Sequence, residues 1–160
     1  MKRIGYENNG LDRADAVILA RLAANAREST ARIARAVGLS APAVAERIRR
    51  LEEAGVITGY AAQIDPRALG RPLAVLLRIR PVPGELKRVA ALLAELREVT
   101  ECMRVTGEDC FVARAYVRSV EELEALIDRL NPWSMTTTSI IQSSPVAPRL
   151  PPIFSEAGMD

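Results

Sequence analysis

The chain has 160 residues, of which 49% are hydrophobic, 26% charged and 4% aromatic. These fractions are close to those of ordinary globular domains, so they exclude a wholly disordered, collagen-like or coiled-coil chain and predict a core of aliphatic side chains. The 22 basic and 20 acidic residues give a net charge of +2, and histidine is absent.

The absence of histidine removes the commonest general base and the commonest metal ligand. The two cysteines, Cys102 and Cys110, form no CxxC pair, so their spacing does not indicate a zinc site. We therefore expect no enzymatic activity, no metal and no cofactor. The N-terminal residues lack a signal-peptide apolar stretch, and the longest apolar runs are too short to cross a membrane, so we expect a cytoplasmic protein with no membrane partner.

The first half of the chain shows helical periods only. Asp12 is the expected N-cap of a first helix, and a second helix is expected to end at Gly38. A third helix is expected to begin after Ser40 and to end at Gly55. Only residues 37–40 connect the second and third helices, a spacing typical of a helix-turn-helix.

The second half alternates strands and helices. Strands are predicted over residues 73–80, 102–106, 111–117 and 136–142, with one helix after the first strand and one after the third. This β-α-β-β-α-β order predicts a ferredoxin-like sheet with both helices on one face. The predicted fold class is therefore α+β. The predicted divisions are a flexible arm at 1–10, a helix-turn-helix domain at 11–58, a hinge strand and linker at 59–72, a ferredoxin-like domain at 73–145 and a Pro-rich tail at 146–160.

The third helix has the side chains of a DNA-recognition helix. With Val44 turned inward, small side chains lie at the N-terminal end of its outward face and arginines follow. Residues 27–50 hold six arginines and two glutamates, a net +4 in a chain of +2. The alternative is a three-helix interaction domain with solvated arginines. The residues predicted to bind double-stranded DNA are Ser40, Pro42, Ala43, Glu46, Arg47, Arg49 and Arg50.

These motifs resemble the Lrp/AsnC (feast/famine) family of transcription regulators. The matching segments are LDRAD at 11–15, VGLS at 37–40, ERIRRLEEAGVI at 46–57, VTGEDCFV at 105–112 and TTTSII at 136–141, so the resemblance covers about residues 11–145. It implies a winged helix-turn-helix joined by a hinge strand to a ferredoxin-like module that binds an amino-acid effector. It also implies homodimers that associate further, often into octamers.

The loop between the second and third strands and the last strand are the candidate effector segments. The resemblance matches Gly107 to the family's loop glycine, and Thr136 and Thr138 to its two threonines. By their chemistry, the carboxylates of Glu108 and Asp109 suit an α-ammonium group, and hydroxyl groups suit an α-carboxylate. The alternative is an ordinary polar turn beside an edge strand. The predicted effector-binding residues are Gly107, Glu108, Asp109, Thr136 and Thr138.

Two departures from the family pattern leave the effector's identity open. Cys110 stands where the family loop commonly has aspartate, and Pro132-Trp133 stands where Gly-Val is usual. One interpretation is that Trp133 narrows the pocket or favours a bulky ligand.

The predicted sheet has one apolar face and one mixed face. Aliphatic side chains share the mixed face with Arg78, Arg80, Arg104 and Arg114. A half-apolar open sheet face is typical of an interface, which predicts a two-fold homodimer with sheets packed face to face. The alternative is a monomer whose arginines keep that face soluble.

Three functions are compatible with these features. The first is a sequence-specific transcription regulator controlled by a small effector, such as an amino acid. The second is an architectural DNA-binding protein without an effector. The third is a subunit like the haem-pathway decarboxylases, which share the fold but depend on histidine.

Overall fold

The computed structural model of the chain describes residues 10–152. They divide into two compact units. Of the described residues, 10–62 and 146–152 belong to the helical unit, and Gln63–Pro145 form the sheet unit. Residues 1–9 of the predicted arm and residues 153–160 of the predicted tail lie outside the described residues.

The helical unit contains α1 (Arg13–Ala24), α2 (Thr30–Val37) and α3 (Ala41–Glu53). The predicted starts of α1 and α3 are confirmed: the side chains of Asp12 and Ser40 accept backbone N–H groups in the first turns of these helices, and Ser29 does the same for α2. Gly38 ends α2 with φ at +75°, a left-handed conformation that glycine adopts without a steric penalty. The helix-turn-helix predicted from the sequence is therefore present.

Five buried apolar side chains form the core of the helical unit among the described residues. Leu11, Leu22 and Ile48 are among the partly buried side chains that pack around them. The core residues come from all three helices, so their burial holds α3 against α1 and α2. They are Ile18, Ile33, Ala34, Val44 and Leu51.

The segment predicted as a hinge strand and linker, residues 59–72, forms no strand within this single chain. Between Glu53 and Leu73 the only regular element described is a 3-10 helix at Pro66–Leu69. An extended segment becomes a strand only when a neighbour takes up its backbone hydrogen bonds, and no described strand pairs with it. The segment is instead anchored by the Tyr60 hydroxyl, which donates to the Glu52 carboxylate over 2.6 Å.

The sheet unit follows the predicted β-α-β-β-α-β order. Its sheet has the order β2-β3-β1-β4, with every described pair antiparallel. β2 and β4 begin three and two residues earlier than predicted, because Val99 and Ser134 already belong to the strands. The elements are β1 (Leu73–Pro81), α4 (Leu86–Glu95), β2 (Val99–Arg104), β3 (Phe111–Val117), α5 (Val120–Leu130) and β4 (Ser134–Ile140).

The two faces of the sheet differ as the alternation predicts. Val75, Leu77 and Ile79 of β1 are fully buried in the core shared with α4 and α5. The opposite face, here called the open face, carries Leu76, Arg78 and Arg80 of β1 with their neighbours on the other strands. Both helices therefore cover one face.

One residue predicted on the open face lies elsewhere. Arg104 pairs in register with Phe111, whose side chain is buried in the core on the helix side. A register shift between Val99 and Glu101 puts one extra residue into β2, which a simple alternation cannot anticipate. Arg104 therefore lies on the helix side of the edge strand.

None of the helices described is both long and apolar enough to cross a membrane.

Candidate nucleic-acid interface and effector segments

The N-terminal end of α3 is built for a close approach by a ligand. Ser40 accepts the N–H of Ala43 over 3.3 Å, and Pro42 sits in the first turn, where its missing N–H leaves no helical bond unmade. Ser40 and Pro42 are exposed and Ala43 is half-buried. This end thus offers small side chains at an exposed helix terminus, as major-groove readers do.

Further along α3 the outward face is charged. Glu46, Arg49 and Arg50 are exposed, whereas Val44 and Leu51 are buried. The structure therefore brings six of the seven predicted DNA-binding residues to the solvent side of α3, from Ser40 to Arg50. The seventh, Arg47, has a different environment.

Arg49 is paired within its own helix. Its guanidinium contacts the Glu46 carboxylate over 2.5 Å and also pairs with Glu53. Its hydrogen bonds to Glu46 raise the pKa of Arg49 and lower the pKa of Glu46. Exposed pairs of this kind contribute little to stability, so phosphate oxygens can displace the glutamates readily. Arg50 has no ion pair among residues 10–152, so its guanidinium can contact a phosphate without giving up a carboxylate partner.

Arg47 is turned toward the start of α1. Its Nη1 donates to Asp12 Oδ2 over 2.7 Å and to Asp15 Oδ1 over 2.8 Å. The hydrogen bond to Asp15 is the main cause that raises the pKa of Arg47. The Arg47 side chain is 26% exposed and that of Asp15 only 3% exposed.

The helical wheel of α3 missed this contact because it treats one helix at a time. A signal was nevertheless present in LDRAD at 11–15: two aspartates three residues apart at a helix start are the pattern of a reciprocal cap. Asp15 N donates to Asp12 Oδ1 over 2.8 Å, and Asp12 N donates to Asp15 Oδ2 over 3.2 Å. Two carboxylates held this close attract a cation.

The effector loop between β2 and β3 is tied to arginines of the open face. Arg80 donates through Nη2 to Glu108 Oε2 over 2.6 Å and through Nε to the Glu108 carbonyl over 3.0 Å. Arg78 lies 3.7 Å from the Asp109 carboxylate. Gly107 has φ at +112°, a conformation that side chains with Cβ rarely adopt. The loop acids therefore already have partners within the protomer.

The predicted threonines lie on the other side of β1 from this loop. Thr136 and Thr138 pair with Ile79 and Leu77 and share their helix side, while Cys110 N donates to the Ile79 carbonyl from the opposite neighbour. Two strand spacings, about 10 Å, separate the two segments. The hydroxyl of Thr136 is buried and has no hydrogen-bond partner in the part of the chain that the structure describes. One protomer thus does not bring the five predicted effector residues into one pocket.

Trp133 does not present a free ring to a ligand. The Arg88 guanidinium lies 3.8 Å above its ring centroid, and Trp133 packs against the core of the sheet unit. This cation–π contact gives Trp133 a role in packing α4 against the start of β4.

The chain matches two family models along most of its length. The AsnC-type helix-turn-helix domain matches residues 11–52, and the Lrp/AsnC ligand binding domain matches residues 74–151. The transcriptional regulator LrpA of Mycobacterium tuberculosis is 38% identical over 124 residues, which cover 77% of this chain and 83% of the relative. LrpC of Bacillus subtilis is 29% identical over 133 residues, which cover 83% and 92%.

Solved structures give the same result. A feast or famine regulatory protein from M. tuberculosis, solved in complex with L-methionine, matches with a TM-score of 0.80 and 35% identity, covering 88% of this chain and 97% of that chain. AsnC of Escherichia coli matches with a TM-score of 0.79 and 28% identity, covering 88% and 97%. The chain therefore belongs to the Lrp/AsnC family of helix-turn-helix transcriptional regulators.

Proposed function

We propose that this regulator binds double-stranded DNA through the outward face of α3, at Ser40, Pro42, Ala43, Glu46, Arg49 and Arg50. The observation that carries the proposal is the exposed face itself, with small residues at its N-terminal end and arginines behind them. Small residues let the backbone approach base edges, and arginines reach phosphates or guanine. A role on chromosomal DNA also supports a cytoplasmic location and a function without catalysis.

The DNA test starts from fragments selected from genomic DNA by the full chain. Affinity for a selected fragment is then measured against salt concentration, for the wild type and for Arg50→Ala. We expect Arg50→Ala to weaken binding at least tenfold and to reduce the slope of log K against log salt by about 0.9, the value for one phosphate contact. Arg129→Ala, which removes an exposed arginine from α5, is the matched control and should bind normally. Equal slopes for wild type and Arg50→Ala would contradict the proposal.

We further propose an amino-acid effector, bound where the Gly107 loop of one protomer and the Thr136–Thr138 segment of another meet. Two observations support it: the relative solved with L-methionine, and the buried, unpartnered Thr136 hydroxyl at the β4 edge. Glu108 and Asp109 would take the ammonium group in exchange for Arg80 and Arg78, and the threonines the carboxylate.

Calorimetric titration with each of the twenty amino acids tests the effector. Binding of one of them to the wild type, weakened at least tenfold in Asp109→Asn and in Thr136→Val, is the expected result. Glu124→Gln on α5 removes an exposed carboxylate far from the loop in sequence and should leave binding unchanged. Absence of heat with all twenty at millimolar concentration would contradict an amino-acid effector.

The open face is the proposed dimer interface. Val112, Arg114 and Tyr116 are half-buried there, and the Nε of Arg114 is buried with no hydrogen-bond partner among the residues described. An orphaned donor beside apolar side chains is satisfied when a second sheet packs against it. Pairing of two protomers, with further association into octamers, is the assembly we propose.

Light scattering after gel filtration tests the assembly. Val112→Glu places a charge in the centre of the open face and should give smaller particles than the wild type. Val120→Glu is the control, because Val120 is half exposed on α5. A wild type that runs as a monomer, or a Val112→Glu variant of unchanged mass, would contradict the proposed interface.

One observation favours a second candidate, an architectural DNA-binding protein without an effector. The loop acids are already paired with Arg80 and Arg78, so a ligand has to displace these partners. Light scattering and DNA affinity with and without an amino-acid pool separate the candidates. A change in either property supports the effector-controlled regulator, and no change supports the architectural protein.

A further inference from the structure

The contact between Arg47 and the start of α1 is the only long-range ion pair that α3 makes among the described residues. It joins positions 32 and 35 residues apart in the sequence, whereas the other ion pairs of α3 link neighbouring turns of that helix. Both bonds come from a single nitrogen, Nη1. The guanidinium therefore acts here as one cation between two carboxylates.

Burial makes this contact matter for orientation. Asp15 is 2% exposed, and within residues 10–152 its carboxylate accepts hydrogen bonds only from Arg47 and from the N–H of Asp12. Removing the cation would leave a buried carboxylate beside a second carboxylate, a state that the helices relieve by moving apart. The helical unit fully buries five apolar side chains among the described residues, so a buried ion pair has more influence on the tilt of α3 than it would have beside a larger core.

We infer that Arg47 is a positioning residue that sets the angle of α3 through Asp12 and Asp15, and that it does not itself bind a DNA phosphate. This inference rests on the proposed function of α3 and revises the prediction that Arg47 contacts DNA. It gives the LDRAD segment a function: its two aspartates hold the DNA-reading helix in place as well as capping α1.

Charge provides a sharp test, because the two roles predict opposite signs for Asp15→Asn. The variant removes a negative charge from the helical unit, so simple electrostatics predicts tighter binding to DNA. The positioning role predicts weaker binding, because Arg47 loses the charge of its buried partner and keeps only the exposed carboxylate of Asp12. Asparagine is close to isosteric and keeps an oxygen acceptor for the Asp12 N–H, so α1 stays capped.

The experiment uses the full chain and a DNA fragment selected by the wild type. Affinity is measured against salt concentration for Arg47→Met, Arg47→Lys, Asp15→Asn and the double variant Arg47→Met/Asp15→Asn. We expect Arg47→Met and Asp15→Asn each to weaken binding at least fivefold with the salt slope of the wild type. The double variant should lose no more DNA affinity than the weaker-binding single variant. Arg47→Lys should keep most of the wild-type affinity, because one ammonium can bridge both carboxylates.

Three outcomes would overturn the inference. The first is a salt slope reduced by about 0.9 in Arg47→Met, as for a lost phosphate contact. The second is a wild-type or tighter affinity for Asp15→Asn. The third is a loss of DNA-binding free energy in the double variant that equals the sum of the losses in the two single variants. Should Arg47→Met unfold the helical unit, the sign of the Asp15→Asn effect still decides.

Arg50→Ala separates this inference from the proposed function. If Arg50→Ala lowers the slope while Arg47→Met does not, both stand. If Arg50→Ala has the wild-type affinity and slope, the proposed DNA face of α3 fails irrespective of Arg47. If both variants lower the slope equally, the DNA face stands and the positioning role fails.

Discussion

The two units of the chain reach their order by different means. Thirteen buried apolar side chains hold the sheet unit together among the residues described, against five in the helical unit. Two charged contacts involve α1 in the smaller unit: Arg21 of α1 pairs with Glu28 in the connection to α2, and Arg47 of α3 pairs with the start of α1. The comparison indicates that apolar burial dominates in the sheet unit, whereas in the helical unit, with its smaller core, the contact of Arg47 with α1 has a larger share in holding the helices at defined angles.

The largest effect is expected from truncating a buried side chain, and one core residue from each unit allows the two units to be compared. Ile33 and Leu77 are both fully buried, and each change to alanine should cost about 3 kcal/mol of unfolding free energy in its own unit. The helical unit has the smaller core, so this loss is a larger fraction of its unfolding free energy. Ile33→Ala should therefore abolish DNA binding while the sheet unit still assembles. Urea unfolding, DNA affinity and light scattering on both variants make the comparison. Retained DNA binding in Ile33→Ala would contradict the expected difference between the two units.

Gly107→Ala should have the next largest effect, confined to the sheet unit. The backbone at Gly107 has φ at +112°, and an alanine there would be strained although its Cβ meets no neighbouring atom. We expect a loss of about 1–2 kcal/mol in urea unfolding. DNA affinity without effector serves as the control and should not change. An alanine variant as stable as the wild type would show that the loop adopts another conformation.

A matched pair of helix caps sharpens the comparison further. Ser29 caps the short α2 and Ser119 caps α5, each accepting a backbone N–H over 3.4 Å. Each serine-to-alanine change should lower stability by about 1 kcal/mol. DNA affinity should fall only for Ser29→Ala, because α2 packs against α3. Equal DNA affinities for the two variants would mean that the helical unit tolerates the loss as well as the sheet unit does.

The smallest expected effect is acid sensitivity of the helical unit. The N–H of Asp15 and the Arg47 guanidinium lower the pKa of the Asp12 carboxyl. Because this pKa is lower in the folded than in the unfolded state, the stabilisation is present above the unfolded value of about 3.9 and is lost as the pH falls through the folded value. Asp12→Asn should therefore show less loss of stability than the wild type below about pH 4. Asp128→Asn on α5 is the control. Identical stability profiles against pH for the wild type and Asp12→Asn would contradict a stabilising contact between Arg47 and Asp12.

The sequence allowed most of the fold to be predicted because local signals carry it. The serines at 29 and 40, Gly38 and the alternation in β1 and β3 each depend on residues close in the chain. The missing hinge strand was beyond such signals, since a strand requires a partner that the sequence does not specify. The extra residue in β2, which turned Arg104 to the helix side, is likewise set by pairing.

The candidate sites show the same division. Exposure of Pro42, Glu46 and Arg50 follows from the period of one helix and was predictable. The contacts of Arg47 with α1 and of Arg80 with the loop join distant parts of the chain, and charge patterns alone do not specify them. Residues that look equivalent on a helical wheel therefore differ once tertiary contacts are known.

The most direct test of the account is a photo-crosslink from α3 to DNA. A photo-crosslinking amino acid is placed at Glu46, on the exposed face of α3, and in a second variant at Glu124, equally exposed on α5. Each variant is irradiated with a labelled DNA fragment selected by the wild type. If α3 reads the DNA, a covalent protein–DNA product forms from position 46 and none forms from position 124. A product from position 124 alone, or equal products from both, would contradict DNA binding through α3.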